Sequence, residues 1–268
     1  MVITVGAMIG AGKSSLAKLI GEHFGSEVFY ESVEGNPILP LFYTASEEEI
    51  QAKRYPFLLQ LYFLDTRFKS IKEALVNDNN VLDRSIYEDW YFAKVNNDLG
   101  RISDLEFQLY EGLLENMMEE LEELPKKSPD LMVYLSGSFK TILERINKRG
   151  RGYELAPELV DYYRTLWEGY DNWVYSHYKA SEILVIDIDR YDYVNNEDDA
   201  KEVLQMIEDR LNEIRETESN EPRMVSISER FYESLREDSA KLSALECAGV
   251  DNWSGYDYAM DILHEEDY

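Results

Sequence analysis

A glycine-rich stretch near the start of the chain, AMIGAGKS at residues 7–14, contains residue types that bind phosphate groups. Its inner glycines permit a tight turn, which would direct backbone N–H groups and the positive end of a following helix at an anion. Lys13 would then reach the outer phosphates, and the Ser14 hydroxyl would bind Mg²⁺. Ala7 stands where the pattern G-x-x-x-x-G-K-[ST] has its first glycine. An ordinary glycine-rich turn is therefore an alternative, and the other motifs of the chain must distinguish it from a phosphate-binding loop.

Charged residues follow two further apolar runs. Glu31 comes after Phe29 and Tyr30, and Asp83 and Arg84 come directly after the run NVL. An aspartate that ends an apolar strand in a phosphate-loop protein commonly faces the Mg²⁺ site. Arg84 would pair with a carboxylate or reach a phosphoryl group. For Glu31 alone, a solvated loop position is an equal alternative.

The most basic segment of the chain is ERINKRGR at residues 144–151, where Arg145, Arg149 and Arg151 flank a glycine. Arginines in this arrangement suit a lid that closes over a triphosphate and stabilises its developing charge. A charged helix end is the alternative, because basic residues favour helix C-termini. Gln60 and Arg67 are seven residues apart, which places them about two turns along one helix face.

Short apolar runs alternate with long helical patterns along the chain, and this alternation predicts an α/β fold with a parallel sheet covered by helices on both faces. In such sheets, ligands bind at the carboxyl ends of the strands. The predicted strands are 2–6, 27–30, 80–83, 131–136 and 183–188, and the predicted helices are 13–24, 47–77, 86–97, 104–123, 138–148, 157–177 and 197–216.

The end of the chain has a different composition. The polar residues 216–223 read as a linker, 226–246 as one more helix, and 249–268 as an aromatic, acidic tail. We therefore expect a phosphate-loop domain over 1–217 and an acidic helical extension of unknown role over 218–268. The tail is either solvated or docked on the main domain or a partner.

The 268 residues carry a net charge of −27, which argues against a basic face that binds nucleic acid. Residues 195–268 hold 21 acidic and 7 basic residues, about half of that excess. No apolar run approaches the ~18–20 residues of a membrane span, and the first residues lack a signal-peptide pattern. Cys247 is the single cysteine. We expect a cytoplasmic protein that binds neither membranes nor nucleic acid.

Over about residues 1–190, the chain resembles the deoxynucleoside kinases, in particular the bacterial and phage deoxyadenosine/deoxyguanosine kinases. Five motifs in the family's order carry the resemblance: IGAGKSS at 9–15, YESVEGNP at 30–37, FLLQ at 57–60 followed by Arg67, DRSIYED at 83–89, and RINKRGR at 145–151. The resemblance implies a phosphate-loop fold, ATP and Mg²⁺ as cofactors, a role in nucleotide salvage, and a homodimer formed through helices 47–77 and 104–123.

The resemblance also implies roles for individual residues. Glu31 would take the proton of the nucleoside 5′-hydroxyl, Arg84 would hold that hydroxyl and the phosphoryl group, and Asp83 would help Ser14 position Mg²⁺. Glu154 would contact the sugar 3′-hydroxyl, as would Tyr43, although Phe42 is equally close by spacing. The base would meet Gln60, Arg67 and Asp89, and the ATP phosphates would meet Ile9, Gly10, Ala11, Gly12, Lys13, Ser14, Ser15, Arg145, Arg149 and Arg151. The adenine loop would fall near residues 189–193.

Two other functions compete with phosphorylation of a deoxynucleoside. A nucleoside monophosphate kinase of the thymidylate kinase type has an anionic acceptor, which calls for an arginine nearby rather than the carboxylate of Glu31. A non-catalytic nucleotide-binding protein would not need the set Lys13, Glu31, Asp83 and Arg84.

The residues expected around the base predict a purine substrate. A Gln side chain complements the N6/N7 edge of adenine, which favours deoxyadenosine. The thymine methyl would meet the polar pair Arg67 and Asp89. The expected order is a purine deoxynucleoside first, deoxycytidine tolerated, and thymidine last.

Overall fold

The computed structural model describes residues 1–33, 35–77, 79–121, 128–220 (without side chains at 218–220), 228–250, 253, 255 and 256. The chain divides into two compact units, Met1–Glu218 and Ser219–Tyr268. Most of the predicted tail at 249–268, and residues 221–223 of the predicted linker, lie outside the described residues. Residues 216–220 of that linker are helical, because they continue the helix that begins at Glu197, so the linker prediction is wrong there.

The first unit contains a five-stranded sheet in which every neighbouring pair is parallel, in the order β2-β3-β1-β4-β5. The strands are β1 Val2–Ala7, β2 Glu27–Phe29, β3 Asn80–Asp83, β4 Leu131–Ser136 and β5 Glu182–Asp187. In register, Ile3 of β1 lies beside Val81 of β3 and Leu131 of β4. The predicted parallel sheet is therefore confirmed.

Helices follow the strands along the chain. They are α1 Lys13–Phe24, α2 Leu39–Thr44, α3 Glu47–Lys53, α4 Tyr55–Val76, α5 Ile86–Asp98, α6 Asp104–Leu121, α7 Phe139–Arg149, α8 Leu159–His177 and α9 Glu197–Asn220. The second unit contains α10 Glu229–Cys247. Among the described residues, no helix has the length and apolar character needed to cross a membrane.

The prediction of one continuous helix over 47–77 is wrong. The helix is interrupted at Arg54, which has a left-handed backbone with φ of +56° and ends α3. Pro56 lies in the first turn of α4, where its missing N–H costs no hydrogen bond. The short helix α2 and a 3₁₀ turn at Gly152–Glu154 were not predicted, because both are too short to show an apolar period.

The core lies on both faces of the sheet. Ile3 and Val5 belong to one apolar cluster and Val2 to another, as expected for a strand whose side chains alternate between two covered faces. Because β1 and β3 are buried at the centre of this sheet, the loops at their carboxyl ends start from fixed positions. These loops carry the candidate site.

Candidate active site

The glycine-rich loop joins β1 to α1 and depends on two glycines with left-handed backbones, Gly10 at φ +85° and Gly12 at φ +104°. A Cβ atom on Gly12 would lie 2.7 Å from the hydroxyl oxygen of Tyr193, and one on Gly10 would lie 2.6 Å from Cγ1 of Ile146. Ala7 is different, because it is the last residue of β1 and is not among the residues with a positive φ. An alanine at this position is therefore compatible with a phosphate loop.

Lys13 and Ser14 follow the loop at the start of α1. The Lys13 Nζ atom donates a hydrogen bond to the Ala7 carbonyl at 3.4 Å. Burial, with a smaller effect of Arg84, lowers the pKa of Lys13 to about 8. The Ser14 hydroxyl donates to Asp83 Oδ2 at 2.5 Å, which joins the end of β3 to the loop.

Asp83 is buried, and its pKa is raised chiefly by that burial. Its Oδ1 atom is also buried and has no hydrogen-bond partner among the described residues. Unpaired buried carboxylate oxygens are uncommon and invite a further ligand.

Glu31 lies between two buried arginines. The Arg67 Nη2 atom donates to Glu31 Oε1 at 2.9 Å, and the Arg84 Nε atom is 3.1 Å from the same oxygen. Burial alone would raise the pKa of Glu31, but Arg84 and Arg67 together lower it to about 2. Arg67 also forms an ion pair with Asp89 at 2.9 Å. Burial raises the pKa of Asp89 to about 7 in spite of this arginine.

A cavity beside this network has polar groups set among apolar and aromatic side chains, as is usual for small-molecule sites. The lining residues are Ile9, Lys13, Glu31, Val33, Leu39, Phe42, Tyr43, Leu59, Gln60, Phe63, Arg84, Asp89, Phe92, Arg149, Arg151, Glu154 and Tyr162. We call it the acceptor cavity. Of the residues predicted to meet a base, Gln60 and Asp89 line it, whereas Arg67 does not and instead holds Asp89 and Glu31.

A second cavity lies over the glycine-rich loop, and we call it the phosphate cavity. Its lining residues are Gly10, Gly12, Lys13, Ser14, Ser15, Glu31, Val33, Arg145, Lys148, Arg149, Arg151, Asp192, Val194 and Asn195. The two cavities share Lys13, Glu31, Val33, Arg149 and Arg151. One carboxylate and three cations therefore line both cavities. A group that passes from a ligand in one cavity to a ligand in the other would be held between these side chains.

The predicted lid arginines have different partners in this structure. Arg149 and Arg151 both form ion pairs with the buried carboxylate of Glu154, at 2.5 and 3.4 Å. Arg145 instead donates to the backbone carbonyls of Ala11, at 2.6 Å, and Ile188, at 3.1 Å. Arg145 therefore holds the glycine-rich loop against the segment after β5.

The segment predicted as the adenine loop, 189–193, also reaches the glycine-rich loop. The hydroxyl of Tyr193 donates to the Ala11 carbonyl at 3.2 Å. Asp189 accepts from the Ser138 backbone N–H at the start of α7, at 2.8 Å. The first contact connects this segment to the glycine-rich loop, and the second connects it to the start of α7.

Tyr43 and Phe42, which spacing alone left as alternatives, both line the acceptor cavity. Only Tyr43 offers a hydroxyl, whose pKa burial raises well above its usual value. Sequence reasoning missed Phe63, one helical turn after Gln60, and Phe92, whose ring lies 4.4 Å from the Arg84 guanidinium. Helical spacing from Gln60 and Asp89 could have identified both.

A phosphate loop at the end of a central parallel strand, with a carboxylate and arginines between two cavities, defines a P-loop kinase. The family model for deoxynucleoside kinase matches residues 3–212. The chain belongs to the deoxynucleoside kinase family.

Individual relatives agree with the family model. The chain is 49% identical over 222 residues to the deoxyguanosine kinase of Lactobacillus johnsonii, covering 82% of this chain and 96% of that one. It is 45% identical over 216 residues to the deoxyadenosine kinase of Lactobacillus acidophilus, covering 80% and 97%. Among solved structures, the deoxyadenosine kinase of M. mycoides with bound dATP matches with a TM-score of 0.65 and 31% identity, covering 79% of this chain and 100% of that one.

A second family model matches the end of the chain. It is described as the phage T7 gp5.9 RecBCD inhibitor and covers residues 186–267. It overlaps the kinase model over residues 186–212 and extends through the second unit. The matched segment holds 24 acidic and 8 basic residues.

Proposed function

We propose that the protein transfers the γ-phosphoryl group of ATP to the 5′-hydroxyl of a purine deoxynucleoside. The observation that carries this proposal is Glu31, a carboxylate that lines both cavities and contacts two arginines. The names of the relatives, deoxyguanosine kinase and deoxyadenosine kinase, support a purine substrate. A cytoplasmic location stays a prediction from the sequence.

In this proposal Glu31 accepts the proton of the attacking hydroxyl. A sugar hydroxyl is a weak nucleophile at neutral pH, so a nearby proton acceptor lowers the barrier. With a pKa of about 2, Glu31 is ionised but weakly basic while both arginines face it. When Arg84 also contacts the transferring phosphoryl group, its positive charge stabilises the Glu31 carboxylate less. The pKa of Glu31 then rises, and the carboxylate becomes a better base.

The phosphates are held by the glycine-rich loop, Lys13 and the lid. Arg149 and Arg151 can replace their ion pairs with Glu154 by contacts to a phosphate group, because both arginines line the phosphate cavity. Charge compensation of this kind is the main demand of phosphoryl transfer. Glu154 is then free to accept a hydrogen bond from the sugar 3′-hydroxyl, beside Tyr43.

The residues present fit Mg²⁺. Ser14 and Asp83 offer oxygen ligands at the edge of the phosphate cavity, and Asp83 Oδ1 is unpaired among the described residues. The part of the chain that the structure describes contains no group of three or more Asp, Glu, His or Cys side chains that could hold a metal ion by themselves. Mg²⁺ at a nucleotide needs no such cluster, because phosphates and water supply most of its ligands. The ion would neutralise charge on the phosphates.

The base would be read by Gln60 and Asp89, with Arg67 fixing Asp89 from behind the cavity. A wrong base leaves such buried polar groups without partners, at about 1–3 kcal/mol for each group. This penalty would act against thymine at the polar side chains of Gln60 and Asp89.

An ADP-release assay with a panel of nucleosides and nucleoside monophosphates tests the reaction. The proposal predicts turnover with purine deoxynucleosides and none with monophosphates as acceptors. Turnover restricted to monophosphates would instead assign the chain to the monophosphate kinase type.

We also propose a homodimer formed through α4 and α6. On α6, Leu105, Leu109 and Leu113 recur every four residues and are 68%, 57% and 43% exposed. Leu58 on α4 is also exposed, and α4 packs on α6. An apolar stripe of this kind on a folded unit is typical of a protein interface.

Light scattering on Leu109→Glu tests the dimer. The wild-type chain is expected at twice its 31.3 kDa mass, and the variant at that single mass. Leu99→Glu is the matched control, because Leu99 is an exposed leucine at the end of α5, outside α4 and α6, and should leave the dimer intact. A wild-type monomer contradicts the proposal.

For the second unit we propose a separate function, inhibition of a RecBCD-type enzyme. The match of residues 186–267 to the inhibitor model supports it. The helix α10 has no buried residue, and Phe231, Leu235, Leu242 and Leu245 are about half exposed. The surplus of acidic residues in this segment would complement a positively charged surface on the target.

Degradation of linear DNA by purified RecBCD tests this second function. The full chain is expected to inhibit, and Glu31→Gln should inhibit equally, because inhibition does not need phosphoryl transfer. The triple variant Glu233→Lys, Glu237→Lys and Asp238→Lys should inhibit less while its kinase rate stays unchanged. Full DNA degradation in the presence of the wild-type chain contradicts the proposal.

A further inference from the structure

Glu88 is a fully buried carboxylate in the first turn of α5, with no role in the site described above. Its Oε2 atom accepts the Ser85 backbone N–H at 3.0 Å, which completes a capping box. Its Oε1 atom accepts hydrogen bonds from the Ala7 backbone N–H at 3.1 Å and from the Tyr170 hydroxyl. A helix cap alone does not require a buried carboxylate to contact β1 and α8 as well.

Glu88 is connected to Lys13 and Arg84 through the backbone of one residue, Ala7. The N–H of Ala7 donates to Glu88, and the carbonyl of Ala7 accepts from Lys13 Nζ and Arg84 Nη2, each at 3.4 Å. Ala7 is the last residue of β1, immediately before the glycine-rich loop. Movement of Glu88 would therefore shift the start of the loop and both cations together.

Glu88 also contacts Arg84 directly. The Arg84 Nη1 atom donates to Glu88 Oε1 at 3.4 Å, while its Nε atom is 3.1 Å from Glu31. The backbone of Arg84 is left-handed, with φ of +83°, a conformation that non-glycine residues keep only when surrounding contacts enforce it. One planar guanidinium is thus fixed between two carboxylates, Glu31 on one side and Glu88 on the other.

We infer that Glu88 is a positioning residue for phosphoryl transfer, which orients Arg84 through their direct contact and through the Ala7 carbonyl that Arg84 also contacts. This inference rests on the role proposed above for Arg84. Glu88 holds the Arg84 guanidinium in place when that group also contacts the phosphoryl group. The contact between Arg84 and Glu31 can then weaken, so that Glu31 accepts a proton while Arg84 keeps its position. A misplacement of about 1 Å in such a site can lower a rate by about 100-fold.

The test begins with Glu88→Gln, which keeps the size of the side chain and an oxygen for the Ala7 N–H. We expect kcat to fall by about 10- to 100-fold and the nucleoside KM to change by less than about threefold. The matched control is Tyr134→Phe, which removes a hydroxyl that donates a hydrogen bond to Asp171 at 2.5 Å. This hydrogen bond does not involve Glu88 or Arg84, so the variant should leave kcat unchanged. Equal kcat values for Glu88→Gln and wild type overturn the inference.

A double-mutant cycle separates positioning of Arg84 from a general effect on folding. Lysine keeps the charge of arginine but cannot bridge two carboxylates with a planar group. If Glu88 acts through Arg84, adding Glu88→Gln to Arg84→Lys should lower kcat by less than about threefold further. Independent, multiplying effects overturn the inference but leave the role of Arg84 intact.

Two further outcomes remain decisive. A wild-type rate for Arg84→Lys refutes the proposed role of Arg84 and the inference with it. If Glu88→Gln does not fold, Glu88→Asp is the second variant, because it keeps the negative charge on a side chain that is one methylene shorter. Its kcat should fall while its nucleoside KM stays unchanged. An unchanged kcat for Glu88→Asp overturns the inference.

Discussion

Replacing Glu31 with Gln removes the negative charge and the ability to accept a proton, while the side chain keeps its size. The amide oxygen can still accept the hydrogen bond that Arg67 Nη2 donates to Glu31 at 2.9 Å, and it would lie beside Arg84 Nε, which is 3.1 Å from the Glu31 carboxylate. Each arginine also keeps a carboxylate partner, Asp89 for Arg67 and Glu88 for Arg84. The variant should therefore fold with both cavities formed.

The magnitude of the catalytic loss follows from the role of a general base. Such a base contributes about 10²- to 10⁴-fold to a rate, which is about 2.7–5.4 kcal/mol of activation free energy. Gln60, Asp89 and Glu154 line the acceptor cavity apart from the substituted group and should still bind the nucleoside. We therefore expect kcat to fall by that factor and the nucleoside KM to change much less.

The assay is steady-state ADP release at saturating ATP, with the melting temperature of both proteins measured in parallel. Nucleoside binding by calorimetry gives an independent check that the acceptor cavity is intact. Retention of more than about a tenth of the wild-type kcat would refute the assignment of Glu31 as the base, because a general base supplies at least about 10²-fold.

Three further predictions test other parts of the site. Arg149→Ala should lower kcat much more than it weakens nucleoside binding, because the charge it compensates grows in the transition state; equal losses in kinetics and calorimetry would give Arg149 a structural role. Gly12→Ala should raise the KM for ATP by about 10- to 100-fold. The backbone φ of +104° disfavours a Cβ atom, and that atom would lie 2.7 Å from the Tyr193 hydroxyl. An unchanged KM for ATP would contradict this prediction. Burial raises the pKa of Asp89 to about 7, so its carboxyl can donate below that pH and only accepts above it. The kcat/KM ratio of deoxyguanosine to deoxyadenosine should then rise from about pH 6 to about pH 8, because guanine offers N1–H and N2–H₂ donors to an acceptor-only group. Asp89→Asn should show no such rise.

The sheet could be predicted because its signals are local. The strands that contain Val2–Ala7 and Leu131–Ser136 are buried apolar runs, and the turn after the first of them is fixed by glycines. The break before α4 has a local signal in Pro56, which the periodicity-based prediction did not use, but the left-handed backbone of Arg54 has no sequence signature. It is held in part by an ion pair with Glu106, which is distant in sequence.

The site was partly predictable for a similar reason. Motif spacing identifies which residues belong to the site, but it does not say which charges pair. Glu88 illustrates the limit, because the sequence marks it only as a helix-capping residue. Its contacts with Ala7 and Tyr170 arise from strands and helices brought together by the fold.

The central claim is that the acceptor cavity takes a purine deoxynucleoside and presents its 5′-hydroxyl to Glu31. It is tested most directly by kcat/KM for the four deoxynucleosides, measured with ATP and Mg²⁺ at one pH. We expect a purine deoxynucleoside at the top, deoxycytidine below it, and thymidine last. Thymidine at the top would contradict both the purine assignment and the roles given to Gln60, Arg67 and Asp89.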